Sequence, residues 1–217
     1  LRDRIKGRIV LVRHEFPFGS DTIHRMRKYM WARERGASGF LIANCIPGEM
    51  KVTGFAADNT AKDIPGLGIS LETGAAIAAL GDSARVRMEI KGTRRTMTAS
   101  NLIADVKGRG PEWVVLGAHY DGHDLGQSAL DNATGTAAAV QILRSMAPHI
   151  ASLPRNLRIM LFTAEEWGLH GSKVWVDEQT PEMRRAIALE VQLDTIAGSP
   201  NITCLSSEFP ELAELAN

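Results

Sequence analysis

The sequence predicts an α/β fold, with a mixed, largely parallel β-sheet that carries helices on both faces. Short apolar runs of strand length alternate along the chain with segments whose apolar residues recur at helical spacing. Such alternation is typical of strand–helix–strand connections, which join parallel strands. The 217 residues are 44% hydrophobic and 23% charged, values close to those of ordinary soluble globular domains. We therefore expect one or two packed domains and no long disordered or coiled-coil region.

The first 90 residues are expected to form a small α/β domain. In chain order, the pattern predicts a strand at 8–13, a helix at 21–35 with Asp21 as a possible N-cap, a strand at 39–43, a strand at 64–70 and a helix at 71–80. Val86, Met88 and Ile90 then alternate with charged residues, which predicts a half-exposed strand. We place the domain boundary near residue 90.

Residues 91–217 are expected to form the larger part of a second domain. Strands are predicted at 101–106, 113–118, 158–162 and 187–193, and an Ala-rich helix is predicted at 134–146. The two domains differ in charge. Residues 1–90 carry 14 basic and 10 acidic side chains, whereas the remainder carries 11 basic and 15 acidic ones.

Composition also excludes some classes of function. The formal net charge is zero, whereas nucleic-acid-binding proteins usually carry a basic excess on one face, so we expect no nucleic-acid partner. No apolar run approaches the roughly 20 residues that a membrane-spanning helix needs. The N-terminal residues lack the pattern of a signal peptide, so none is predicted in this chain.

Acidic and imidazole side chains follow every predicted strand of the second domain that ends in an apolar run. They are His119 and Asp121 after the first such strand, Asp131 before the Ala-rich helix, Glu165 and Glu166 after the next strand, and Asp194 after the last. Ligands of open α/β sheets bind at the carboxyl ends of the strands, so we expect these side chains to converge. Each has an ordinary interpretation by itself, such as a helix N-cap for Asp131. Taken together, these interpretations would require four separate strand ends to be polar for four unrelated reasons. His123 and Asp124 are interpreted as loop residues.

A cluster of five carboxylates would be unstable in a crevice, because the charges repel one another and are costly to desolvate. Raised pKa values or bound cations would relieve this repulsion. With imidazole and carboxylate ligands, Zn²⁺ is the leading choice, and Mn²⁺ or Co²⁺ are alternatives.

The ordered motifs resemble the co-catalytic zinc aminopeptidase family, which includes bacterial leucyl aminopeptidases and carboxypeptidase Q-like enzymes. The motifs are His119-Tyr120-Asp121, Asp131-Asn132-Ala133-Thr134-Gly135, Glu165-Glu166 and Leu193-Asp194-Thr195-Ile196-Ala197-Gly198. Three stretches of the first domain are similar to a protease-associated domain, namely 6–13, 35–39 and 64–70. The resemblance therefore implies a protease-associated domain at 1–90 and a zinc metallopeptidase catalytic domain at 91–217.

The resemblance also implies a role for each strand-end residue. His119 and Asp194 would bind one zinc ion, Glu166 would bind a second, and Asp131 would bridge the two. Asp121 would orient His119, as metal-bound imidazoles usually require. Glu165 would be the general base that takes a proton from a metal-bridged water. The implied function is a di-zinc exopeptidase that hydrolyses peptide bonds at the N-terminus of peptides.

One feature departs from the family pattern. The family supplies a last histidine ligand from a later loop, but no histidine follows His170 in this sequence. We therefore expect an internal fragment whose catalytic domain is truncated at both ends, with weak binding of the second metal and little activity.

Two alternatives to an aminopeptidase remain at this point. One is a carboxypeptidase or dipeptidase of the same family, which the carboxypeptidase Q-like stretch 123–126 favours. The other is a peptidase-like ectodomain that binds a partner without catalysis; the intact strand-end residues argue against it. The resemblance to the zinc aminopeptidase family also implies a location, because its members are often secreted, periplasmic or vacuolar.

Overall fold

The chain divides into two compact units, residues 1–96 and residues 97–217. A computed structural model describes residues 2–15, 22–52, 54, 63–93, 95–123 and 126–199. Within these ranges, no helix combines the length and the apolar character that crossing a lipid bilayer requires.

The first unit is built on three parallel strands in the order β1-β2-β3. Its elements are α1 (Arg2–Ile5), β1 (Ile9–Arg13), α2 (Arg25–Glu34), β2 (Gly39–Ala43), β3 (Gly66–Ile69) and α3 (Leu71–Ala79). The central strand β2 is buried along its whole length, and Phe40 and Ile42 pack with Tyr29 and Ala32 of α2. The predicted α/β character of this unit is confirmed.

Two predictions for the first unit differ from the structure. Helix α2 begins four residues later than predicted, and its N-cap is His24, whose Nδ1 accepts a hydrogen bond from Met26 N. Asp21, the predicted cap, lies outside the described residues. The strand predicted at 85–90 does not form, although Val86 and Met88 are half-buried and the charged residues between them are exposed. Alternation fixes which side chains face the protein, but a strand also needs a neighbouring backbone, and none of the described strands pairs with this segment.

Tyr29 ties helix α2 to the segment that leads into β3. Its buried hydroxyl accepts a hydrogen bond from Ile64 N at 2.9 Å and donates one to the Ile64 carbonyl at 2.9 Å. We expect Tyr29→Phe to lower the free energy of unfolding by about 1–3 kcal/mol, because both backbone groups lose a buried partner. Denaturant unfolding measures the change. The chain's other tyrosine, Tyr120, is 40% exposed and serves as the control, since water can replace its hydroxyl. Equal losses in Tyr29→Phe and Tyr120→Phe would contradict this explanation.

The second unit contains a four-stranded mixed sheet in the order β4-β6-β5-β7. Its elements are β4 (Leu102–Val106), β5 (Trp113–His119), α4 (Thr134–Ile150), β6 (Asn156–Phe162), α5 (His170–Glu178), α6 (Pro181–Ala186) and β7 (Ile187–Gln192). Strand β5 runs parallel to β6 and β7, whereas β4 is antiparallel to β6.

Helices cover both faces of this sheet. Leu116 and Ile159 pack with Ala139 of α4 on one face, while Val115 and Met160 pack with Trp175 of α5 on the other. Successive side chains of a strand point to opposite faces, which explains this division. The predicted mixed, largely parallel sheet with helices on both faces is confirmed. Because β5, β6 and β7 are parallel, their carboxyl ends lie at the same edge.

Candidate metal centre

His119 is the last residue of β5 and lies at the centre of the strand-end cluster. Its side chain is only 1% exposed. Its Nε2 atom lies 3.0 Å from Asp131 Oδ1, 3.6 Å from Asp194 Oδ1 and 4.0 Å from Glu165 Oε2. Nevertheless, Nε2 makes no hydrogen bond of acceptable geometry. A buried ring nitrogen therefore faces several carboxylates without a directed partner.

Two contacts hold His119 at the end of β5, one to its ring and one to its backbone. The Asp121 carbonyl oxygen lies 3.1 Å from Nδ1 of His119. The hydroxyl of Thr136, in the first turn of α4, donates a hydrogen bond to the His119 carbonyl at 2.8 Å. The contact with Asp121 orients the imidazole and the bond from Thr136 holds the backbone at the strand end, so Nε2 points toward the carboxylates.

Asn132 connects the two loops that carry Asp131 and Asp194. Its side chain is buried, and Nδ2 donates a hydrogen bond to the Leu193 carbonyl at 2.8 Å. Its Oδ1 accepts hydrogen bonds from Gly135 N at 3.0 Å and Thr195 N at 3.3 Å. One amide side chain therefore joins the start of α4 to the loop that follows β7.

Glu165 and Glu166 stand beside this cluster, after the end of β6. The Glu166 side chain is largely buried, and its Oε1 atom has no hydrogen-bond partner. Its other carboxylate oxygen lies 2.9 Å from Nε2 of His123. Glu165 borders the His119 imidazole without a hydrogen bond to it, at the 4.0 Å separation given above.

The crowded charges shift the pKa values of several groups. Burial raises the pKa of Glu165 and the pKa of Glu166, and neighbouring carboxylates add to both increases. Burial would lower the pKa of His119, but the carboxylates of Asp194, Glu165 and Asp131 outweigh it and raise that pKa to about 9. The neighbouring His119 imidazole and a hydrogen bond that the Thr195 hydroxyl donates to Oδ1 lower the pKa of Asp194. The site thus concentrates negative charge around one imidazole.

This donor set fits a metal ion. Within the described residues, one group of three side chains brings possible ligand atoms within 4.8 Å of one another, and it consists of His119, Asp131 and Asp194. The Nε2 atom of His119 has no hydrogen-bond partner, as expected of a ligand atom before a metal ion binds. One imidazole and two carboxylates suit Zn²⁺, with Mn²⁺ and Co²⁺ as alternatives.

The structure brings together the six residues that the sequence singled out: His119, Asp121, Asp131, Glu165, Glu166 and Asp194. His123, interpreted as a loop residue, also reaches the site through Glu166. Glu166 lies 43 positions after His123 in the chain. The only signal in the sequence for this contact is that His123 follows the end of a predicted strand. Asp124 lies outside the described residues.

Comparison with known proteins decides the family. Residues 101–215, just over half of the chain, match the model of peptidase family M28. The chain belongs to peptidase family M28. Residues 2–77 of this M28 chain match the PA domain, so the resemblance to a protease-associated domain is confirmed as well.

Named proteins from several organisms are similar to this M28 chain. Leucine aminopeptidase 2 of Trichophyton equinum is 31% identical over 92% of the chain, and a probable lipoprotein aminopeptidase of Mycobacterium tuberculosis is 30% identical over 91%. The chain spans 39% and 37% of the lengths of these relatives. The structure of a zinc aminopeptidase from Bacillus subtilis matches 90% of the chain and 46% of its own length, with a TM-score of 0.59 and 24% identity, which shows the same fold.

Proposed function

We propose that this M28 chain carries the metal-binding and proton-transfer residues of a zinc exopeptidase that cleaves the N-terminal residue from peptides. The observation that carries the proposal is the buried Nε2 atom of His119, which faces Asp131 and Asp194 without a hydrogen bond, with Glu165 beside it. The names of the relatives support aminopeptidase activity in particular.

His119 and Asp194 would hold one zinc ion, Glu166 would hold a second, and Asp131 would be shared between them. Zinc bound in such a site polarises a carbonyl group and lowers the pKa of water. His119 is kept in position for this task by the carbonyl of Asp121 and the hydroxyl of Thr136. Asp121 is thus the residue that orients the imidazole, as metal-bound histidines commonly require.

Glu165 is the proposed general base. Its carboxylate lies at the border of the ligand cluster, and its raised pKa brings it closer to the working range of a proton carrier. It takes a proton from the attacking water and passes that proton to the amine of the leaving peptide. The metal-binding role of Glu166 is supported by its largely buried carboxylate, whose Oε1 atom has no hydrogen-bond partner.

Metal removal tests the proposal on the full-length protein. We expect chelation to lower the hydrolysis of leucine p-nitroanilide at least about 100-fold, since a metal contributes several kcal/mol to transition-state stabilisation. Added Zn²⁺ should restore the rate. Full activity after complete removal of metal, confirmed by elemental analysis, would contradict the proposal.

Blocked peptides distinguish the possible exopeptidases. An aminopeptidase should hydrolyse a peptide that has a free N-terminus and an amidated C-terminus. It should leave intact the same peptide with an acetylated N-terminus and a free C-terminus. The opposite preference would indicate a carboxypeptidase, and cleavage restricted to unblocked dipeptides would indicate a dipeptidase. A protein that binds zinc but hydrolyses none of these peptides would support a non-catalytic ectodomain.

We also propose that the protein works outside the cytoplasm. The resemblance noted in the sequence and the lipoprotein named among the relatives support this location. Fractionation of the source cells, with an antibody to the chain, would contradict it if the protein stayed in the cytosol.

A further inference from the structure

The turn that follows β6 carries the two glutamates and is held by a side chain from another strand end. Asp121 Oδ1 accepts a hydrogen bond from Glu165 N at 3.0 Å, and Asp121 Oδ2 accepts one from Glu166 N at 3.3 Å. Both oxygens of one carboxylate therefore bind two consecutive backbone amides. This arrangement fixes the backbone from which both glutamate side chains project.

The same carboxylate is less engaged with His119. Its Oδ1 atom lies 3.6 Å from Nδ1 of His119, beyond normal hydrogen-bond distance, whereas the Asp121 carbonyl lies at 3.1 Å. The backbone of Asp121 thus serves the histidine, and its side chain serves the glutamate turn.

The turn has features that make external support useful. Ala164, directly before Glu165, has a φ of +52°, in the left-handed region that non-glycine residues seldom adopt. On the far side of the turn, the Glu165 carbonyl accepts hydrogen bonds from Gly168 N and Leu169 N. At the start of the turn, where the chain leaves the sheet, the Asp121 carboxylate accepts hydrogen bonds from the amides of Glu165 and Glu166.

We propose that the Asp121 carboxylate is a positioning residue for Glu165 and Glu166. The catalytic meaning of this role rests on the proposed function, because it assumes that Glu165 transfers a proton and that Glu166 binds metal. Asp121 stands two residues from His119, so the end of β5 sets both a ligand of the first metal and the placement of the glutamate pair from β6.

Asp121→Asn tests the proposal in the zinc-loaded, full-length enzyme. The asparagine oxygen can still accept one amide hydrogen bond, but its NH₂ group is a donor and faces the second amide. We expect kcat to fall about 10²-fold, as is typical when a reacting group is displaced by about 1 Å, while KM stays nearly constant. Zn²⁺ affinity at the His119 site should be retained, since the Asp121 carbonyl is unchanged.

Amide hydrogen exchange provides a measurement that does not depend on activity. In Asp121→Asn, the amides of Glu165 and Glu166 should exchange faster, and those of α4 should not. Asp121→Glu keeps both acceptor oxygens on a longer side chain, so it should exchange more slowly than Asp121→Asn at these amides and recover part of the lost kcat.

Asp105→Asn is the matched control, because Asp105 also uses both carboxylate oxygens, but on the Arg158 guanidinium away from the site. It should leave kcat and the exchange of the turn unchanged. Unaltered exchange at Glu165 and Glu166 in Asp121→Asn, together with a tenfold or greater loss of Zn²⁺ affinity, would overturn the proposal. A wild-type protein without peptidase activity would refute the proposed function, while the exchange measurement would still decide the role of Asp121 in the turn.

Discussion

Glu165→Gln is expected to lower kcat by about 10²–10⁴-fold, the usual contribution of a general acid–base residue. Glutamine has nearly the same size and shape but cannot accept and release a proton at neutral pH. Glu165 borders the ligand cluster at 4.0 Å from His119 Nε2 and lies outside the three-residue group that fits a metal. Zinc content and Zn²⁺ affinity should therefore change little. Steady-state kinetics and elemental analysis of the same preparation measure both quantities.

Glu178→Gln is a suitable control for that experiment. Glu178 is the last residue of α5 and is exposed, so loss of its charge should not change kcat. A Glu165→Gln enzyme with wild-type kcat would remove Glu165 from the proton-transfer step. A variant that lost zinc as well as activity would instead identify Glu165 as a ligand.

His119→Gln is expected to reduce Zn²⁺ affinity at least ~100-fold, because loss of an outer-shell partner of a ligand alone costs 10–100-fold. Glutamine is close in size, so the packing at the end of β5 is largely preserved, but its neutral amide is a poor zinc ligand. Activity should fall together with metal occupancy. Titration with Zn²⁺, followed calorimetrically, measures the affinity.

His149→Gln controls for removal of an imidazole. His149 is an exposed residue in the last turn of α4, so its replacement should leave zinc binding intact. Unchanged Zn²⁺ affinity in His119→Gln would mean that the three-residue cluster does not form the first metal site.

Apolar runs were a reliable guide to the strands. Strands β5 and β6 are buried on both faces, so their sequences are almost continuously apolar and can be recognised without knowledge of their neighbours. The segment at 85–90 shows the limit of this reasoning. Val86 and Met88 are half-buried as the alternation predicted, but Ile90 is 54% exposed. Whether the segment joins a sheet depends on which backbone lies beside it.

The candidate site was predictable to the extent that it depends on strand ends. His119 ends β5 and Asp194 follows β7, a parallel strand, so sheet topology alone brings them to one edge. The contact of His123 with Glu166 was not predicted, nor were the hydrogen bonds that the Asp121 carboxylate accepts from the amides of the glutamate turn. Both depend on loop conformation, and backbone amides leave no residue-specific signal in a sequence.

The hydrogen bonds of Asn132 affect how the site exchanges a metal ion with the surrounding solvent. Its buried side chain makes hydrogen bonds with Leu193, Thr195 and Gly135. The loop after β7 therefore cannot detach from the segment before α4 without leaving the polar groups of Asn132 unsatisfied. The two loops should therefore open together as one cooperative unit of local unfolding. Capture and release of the ion would then follow a single opening event, whose rate sets how quickly the protein equilibrates with metal in its surroundings.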